Sequence, residues 1–171
     1  MPLYLVRHSR VAASGLCYGQ SDVPLAASFA DEAAALKRQL VQTFGAQLPP
    51  VLCSPSARCV QLAQALDMRV NLDARLMELN FGAWEGKSWA ELDGPEARHW
   101  GDHWQTVAPP HGESLAELIS RVDECIAGLP AGDHLLITHA GPIRVLWHQF
   151  SGLTLEQAFA CPVPHAKLIV L

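Results

Sequence analysis

One stretch constrains this chain more than any other: a short apolar run that stops on an arginine and a histidine. Pro2-Leu3-Tyr4-Leu5-Val6 is rich in strand formers and gives way abruptly to Arg7-His8-Ser9-Arg10. A buried strand ending in Arg-His sets two polar side chains at the carboxyl edge of a sheet, where open α/β folds bind ligands. A planar guanidinium beside an imidazole suits a phosphate dianion. A neutral imidazole held by its second nitrogen can also attack phosphorus. Alone, the pair is equally what a strand followed by a solvated basic turn looks like, so the rest of the chain has to decide.

The chain has 171 residues, enough for one domain with a sizeable core, and half of them are hydrophobic. No apolar run reaches the length of a membrane span. The first residues lack the three regions of a secretory signal, so a cytoplasmic protein is expected. The five cysteines, Cys17, Cys53, Cys59, Cys125 and Cys161, are odd in number and include no C-x-x-C pair. They are expected to be buried small hydrophobes rather than disulfides or zinc ligands. A net charge of −5 speaks against a nucleic-acid partner, though a cluster of arginines in a cleft overcomes a modest global charge.

Two more strand ends repeat the first. Pro49-Pro50 leads into Val51-Leu52-Cys53, and Ser54-Pro55-Ser56-Ala57-Arg58 follows. Ser54 reads as an N-cap and Pro55 as the first helical residue, with Arg58 in the first turn near an anion-favouring helix end. Later, His134-Leu135-Leu136-Ile137-Thr138 reads as a buried strand, with His139-Ala140-Gly141-Pro142 at its end and a helix over Ile143 to Phe150. A parallel α/β sheet would gather Arg7, His8, Arg58 and His139 along one edge. Physics alone then points to phosphoryl transfer through His8.

Between these strands, Val11 to Pro24 is a loop broken by Gly15 and Gly19. Ser14, Tyr18, Gln20 and Ser21 are its candidate ligand contacts. Leu25 to Phe44 reads as a helix, with Phe29, Ala33, Leu36, Leu40 and Phe44 on one face. Arg69 to Leu72 reads as a third strand and Lys167 to Leu171 as a terminal one. A helix is expected from Glu113-Ser114 to Gly128, and a short one from Thr154 with Gln157 closing a capping box. Glu78 stands among apolar residues, and a carboxyl in such surroundings holds its proton nearer neutrality and can act as a general acid. Trp84, Trp89, Trp100 and Trp104 cluster in sequence and are candidates for walling a pocket for an aromatic substrate. His99 and His103 stand four apart, but Gly101 lies between them and no third ligand is near, so no metal is expected there.

Taken together, these segments resemble the histidine phosphatase superfamily, of phosphoglycerate-mutase-like fold, over nearly the whole chain. The resemblance rests on Leu5-Val6-Arg7-His8-Ser9, Ser54-Pro55-Ser56-Ala57-Arg58, Glu78 before Phe81-Gly82-Ala83-Trp84-Glu85-Gly86, and Thr138-His139-Ala140-Gly141, in that order. It departs at Ser9, where the family usually has glycine. The loop from Gly15 to Leu25 is most similar to the α-ribazole phosphatase branch, which acts late in cobalamin nucleotide-loop synthesis.

The resemblance implies a three-layer α/β/α sandwich with a mostly parallel central sheet. It implies a single domain over residues 1–171, with a helical, tryptophan-rich cap at about 84–112. It implies a phosphomonoester hydrolase with His8 as nucleophile and Glu78 as acid and base. Arg7, Arg58 and His139 would clamp the phosphoryl oxygens, with Ser14, Gln20 and Ala140 as further phosphate contacts. No metal or cofactor is implied, because the arginines supply the positive charge. The implied partner is a small phosphate monoester, with no nucleic acid or membrane, and the protein is expected as a monomer or homodimer. Two alternatives stand beside it. One is a broad small-molecule phosphatase or a phosphoglycerate mutase-like enzyme on the same fold. The other is a non-catalytic phosphate-binding module, to which Ser9 leans.

Overall fold

Alternating side-chain direction along the strands dictates the layers. In the central strand β4 (His134–Thr138) every residue is buried, as in a parallel sheet covered on both faces. Leu136 packs with Leu5, Leu118, Ile143 and Leu146 on one face. Leu135 and Ile137 pack with Val6, Leu36, Leu40 and Leu62 on the other. The computed structural model describes residues 2–171.

The sheet contains β1 (Leu3–Arg7), β2 (Val51–Cys53), β3 (Asn71–Leu72), β4 and β5 (Leu168–Val170), in the order β3-β2-β4-β1-β5. All neighbours are parallel except β5, which runs antiparallel to β1. Helices α1 (Phe29–Phe44) and α2 (Ala57–Ala65) belong to the second core, α5 (Leu115–Ala127) and α6 (Ala140–Ser151) to the first. Two short helices, α3 (Trp89–Leu92) and α4 (Pro95–Asp102), carry the tryptophan-rich segment, and α7 (Leu155–Ala160) precedes β5. This is the expected mixed α/β sandwich.

Register brings the strand ends level. Arg7 pairs with Thr138 and Cys53 with Ile137. The ladder runs one residue further on both sides, His8 N–H donating to Thr138 O at 3.0 Å and Ser54 N–H to Ile137 O at 2.9 Å. That extension corrects one expectation. Ser54 still belongs to the strand end, so the residue flanking α2 is Ser56, and Arg58 is the second helical residue. Helix α1 begins at Phe29 rather than Leu25, because Leu25 bridges to Val11. Helix α6 starts three residues earlier than expected, at Ala140; Gly141 and Pro142 are tolerated in a first turn whose N–H groups have no helical partner. The capping boxes at Ser114–Glu117 and Thr154–Gln157 form, the second as expected.

All five cysteines are free, and all but Cys161 are buried. Among the described residues no helix is long and apolar enough to cross a membrane.

Candidate active site

The carboxyl ends of β1, β2 and β4 deliver their side chains to one cavity of about 630 Å³, lined by Arg7, His8, Arg58 and Glu78 among others. His8 is 2% exposed. Its Nδ1 lies 2.7 Å from the Ser9 carbonyl, which can only accept, so Nδ1 carries the proton and Nε2 keeps its lone pair. Burial and the Arg58 charge hold the imidazole well below its ordinary range, against the pull of the Ser9 bond, and Arg7 adds to the effect. A neutral, oriented imidazole is what nucleophilic attack on phosphorus needs.

Arg58 is almost wholly buried, at 1% exposure. Its Nη1 donates to Ser21 O at 3.0 Å and its Nη2 to Gly19 O at 2.5 Å. Nη2 also reaches Nδ1 of His139 at 3.0 Å. The Tyr18 ring lies under the guanidinium, 5.3 Å from its carbon. Arg7 is anchored by Nη1 on Val163 O at 2.8 Å. In both arginines Nε is buried with no hydrogen-bond partner among the described residues.

His139 stands one layer back. It is fully buried, and both its ring nitrogens are taken: Nδ1 accepts from Arg58, and Nε2 donates to Ser54 Oγ at 2.9 Å. It stands behind Arg58 rather than among the side chains that line the cavity. Its ring faces Arg58 and Ser54, and burial with the Arg58 charge keeps it neutral.

Glu78 also meets different surroundings from the apolar ones expected. Its Oε1 accepts from Leu79 N–H at 3.0 Å, and both oxygens lie 3.1 Å from Gly141 N at the start of α6. A Cβ at position 141 would overlap Oε1, so this approach requires glycine. Behind it, Arg121 donates to the carbonyls of Arg75, Met77 and Glu78 and pairs with Glu113 at 2.5 Å.

The loop contacts divide. Ala140 and Tyr18 line the cavity. Gln20 instead donates to Glu78 O at 3.2 Å, and Ser14 is exposed and away from the cavity wall. Ser9 is fully buried, and its hydroxyl has no partner among the described residues.

Three contributors escape a reading by sequence. Glu85 accepts from the N–H groups of Gly19, Gln20, Ser21 and Phe81, at 2.9 to 3.2 Å, and so ties down the loop that holds Arg58. Its place beside Trp84 in the matched motif was the only signal. Arg144 lines the cavity one helical turn after Ala140, with Nε and Nη2 on Cys161 O and its charge over Phe159. The i, i+4 spacing from Ala140 could have found it. His165 packs against His8, and nothing local in the sequence announces it.

The far wall is aromatic. Trp89 and Trp100 stack with centroids 6.4 Å apart, and Phe81 stands edge-on to both at 5.8 and 5.9 Å. Trp104 lines the cavity beside Phe159, while Trp84 is buried behind Trp100.

Known proteins resemble this chain in sequence and in fold. A crystal structure named as the alpha-ribazole phosphatase from Shigella flexneri superposes with a TM-score of 0.89 at 26% identity, covering 99% of this chain and 89% of that one. A Yersinia enterocolitica protein named "Probable phosphoglycerate mutase GpmB" is 33% identical over 168 residues, 90% of this chain and 76% of that protein. The "Bifunctional protein Rv2228c" of Mycobacterium tuberculosis is 36% identical over 107 residues. That match takes in 56% of this chain but only 29% of the relative, so the chain spans under a third of that protein's length. The family model described as "Histidine phosphatase superfamily (branch 1)" matches residues 3–171. With its strand ends, its buried imidazole and its match from one end to the other, the chain belongs to the histidine phosphatase superfamily.

Proposed function

We propose that the protein hydrolyses phosphate monoesters through a phosphohistidine on His8, and that its substrate is α-ribazole 5′-phosphate. The observation that carries the reaction is the bond from His8 Nδ1 to Ser9 O, which leaves Nε2 as the free nucleophilic atom of a neutral ring. In the first half, Nε2 attacks phosphorus, the bond from phosphorus to the ester oxygen breaks, and Glu78 gives its proton to the leaving alkoxide. In the second half, water attacks phosphorus, the phosphorus–nitrogen bond breaks, and Glu78 takes the water's proton. A positioned acid of this kind contributes roughly 10²- to 10⁴-fold. Arg7 and Arg58 stabilise the oxygens as charge shifts in the transition state, supplying the positive charge without a metal. His139 serves by holding Arg58.

The aromatic wall of Phe81, Trp89 and Trp100 supports a flat, apolar leaving group, and the tryptophan-rich segment acts as the substrate cap. The Shigella structure's name supports the ribazole ester in particular. The Yersinia relative's name favours a second reading, phosphoryl return to a phosphoglycerate.

The test is kcat/KM for α-ribazole 5′-phosphate against a panel of small esters that includes 3-phosphoglycerate, with His8→Ala as blank. A lead of orders of magnitude for the ribazole ester, abolished in the blank, is expected. Equal cleavage of all esters through His8 would leave the reaction and remove the substrate. Equal rates in protein and blank would remove the reaction.

A further inference from the structure

The nucleophile is pinned at three points, and the third comes from a residue the reaction as described does not use. His8 N–H donates to Thr138 O at 3.0 Å, and its Nδ1 donates to Ser9 O at 2.7 Å. Its backbone carbonyl accepts from Nδ1 of His165 at 2.9 Å. The His165 ring then stands edge-on to the His8 ring, with centroids 5.4 Å apart.

Local chain geometry explains why a side chain is needed there. Strand β5 pairs with β1 as far as Leu168 opposite Val6. Ala166, just before it, has a φ of 45°, and its N–H donates to Arg7 O at 2.9 Å. That left-handed residue ends the antiparallel register, and His165 instead forms an isolated parallel bridge with Arg7. Among the described residues no backbone N–H reaches the His8 carbonyl, and the half-buried His165 imidazole supplies the donor. The same segment holds Arg7, through Val163 O.

The His8 carbonyl lies in the peptide plane that joins His8 to Ser9. Freeing that plane lets Ser9 swing, and the Ser9 carbonyl is what fixes the His8 ring. We infer that His165 is a positioning residue for the nucleophile: its Nδ1–H locks the His8–Ser9 peptide and its ring braces the His8 imidazole, so that Nε2 stays aimed at phosphorus. This rests on the reading of His8 as nucleophile. His165 itself touches no reacting atom. The guanidiniums of Arg7 and Arg58 are held by the carbonyls of Val163, Ser21 and Gly19 rather than by the His165 ring, so loss of that ring should fall on attack rather than on phosphate binding.

The experiment compares His165→Ala, His165→Leu and His165→Asn with the unaltered protein. It measures single-turnover phosphohistidine formation, kcat and KM on p-nitrophenyl phosphate, and Tm. The alanine and leucine variants should lose roughly 10- to 100-fold in phosphohistidine formation and in kcat, the scale of a small misplacement of a reacting group. KM should stay within about two-fold, because an interaction that aims the attack leaves ground-state binding alone. Asparagine, whose amide can donate to the same carbonyl, should recover most of the loss; leucine, of similar bulk without a donor, should not. Leu168→Ala serves as a stability control on β5. The inference is overturned if the leucine variant phosphorylates at the original rate, if asparagine fares no better than leucine, or if Leu168→Ala slows attack equally at the same Tm. Activity persisting in His8→Ala would instead overturn the nucleophile reading, which keeps the two failures apart.

Discussion

Arg58 Nη2 lies 3.0 Å from His139 Nδ1, and because a guanidinium can only donate, that contact sets the tautomer of a fully buried imidazole. The proton sits on Nε2, which donates to Ser54 Oγ, whose own hydrogen points to Ser56 Oγ at 3.3 Å. A chain of polar groups from the ends of two strands, β2 and β4, thus fixes the Arg58 guanidinium.

His139→Ala should therefore act through Arg58. The guanidinium would lose one of its three acceptors, and kcat/KM should fall roughly 10²- to 10³-fold, the cost of losing one preorganised donor at a reacting oxyanion. His139→Gln, with an amide oxygen for Arg58 and an amide N–H for Ser54, should recover part of it. Steady-state kinetics with inhibition by inorganic phosphate checks this: weaker phosphate binding should accompany the lost rate.

How far the sequence reaches depends on how local the cause is. Strands β2 and β4 and the Thr154 cap were legible because a continuous apolar run, or a hydroxyl three residues before a glutamine, carries its own explanation. Ser54 was misread because Ser-Pro before a helix looks like a cap, and only its N–H bond to Ile137 O, across the sheet, reassigns it. The setting of Glu78 was invisible for the same reason: its donor at Gly141 lies 63 residues away in sequence. His139 was rightly placed at a strand end, but which way its ring faces depends on Arg58, which is chosen by another strand.

Stability should fall as the pH drops below about 6.5, the ordinary imidazole value. His8 and His139 are both held well below it, chiefly by burial and then by Arg58. In the unfolded chain each takes up a proton as the pH falls through that value, while in the folded protein each stays neutral. The unfolded state binds more protons there, so each contributes a loss of up to about 1.4 kcal/mol per pH unit until its folded value is reached. Above 6.5 their contribution is level. Urea midpoints between pH 8 and 5.5 measure the slope, and His139→Gln should reduce it. The acid limb of kcat/KM should likewise lie well below 6.5, since His8 remains neutral; an acid limb at 6.5 would mean a solvated nucleophile.

Glu85→Gln should loosen the loop and the site together. Burial works against the ionised carboxylate, but the N–H groups of Gly19, Gln20, Ser21 and Phe81 outweigh it and hold it below the ordinary range. An amide in its place keeps one acceptor oxygen and turns an N–H toward other N–H groups. The expected loss is about 1.5–3 kcal/mol, the scale of hydrogen bonds to a charged group. Because the carbonyls of Gly19 and Ser21 hold Arg58, kcat/KM should fall as well. Chemical denaturation and kinetics on the same preparation separate the two effects.

Trp89→Ala should change which ester is preferred while leaving the chemistry intact. Trp89 is 41% exposed, so removing it leaves the core in place, yet it stacks on Trp100 and forms part of the cavity wall. Stacking a nucleobase-like ring on an aromatic side chain contributes roughly 1–3 kcal/mol, or about 5- to 150-fold. That loss should appear in kcat/KM for α-ribazole 5′-phosphate, mostly as a raised KM. Glycerol 2-phosphate, which has no ring to stack, should be cleaved at nearly the original rate. An equal loss on both esters would show that Trp89 supports the phosphate clamp rather than the leaving group, and the preference for a flat aromatic alcohol would then have to come from Phe81 and Trp104.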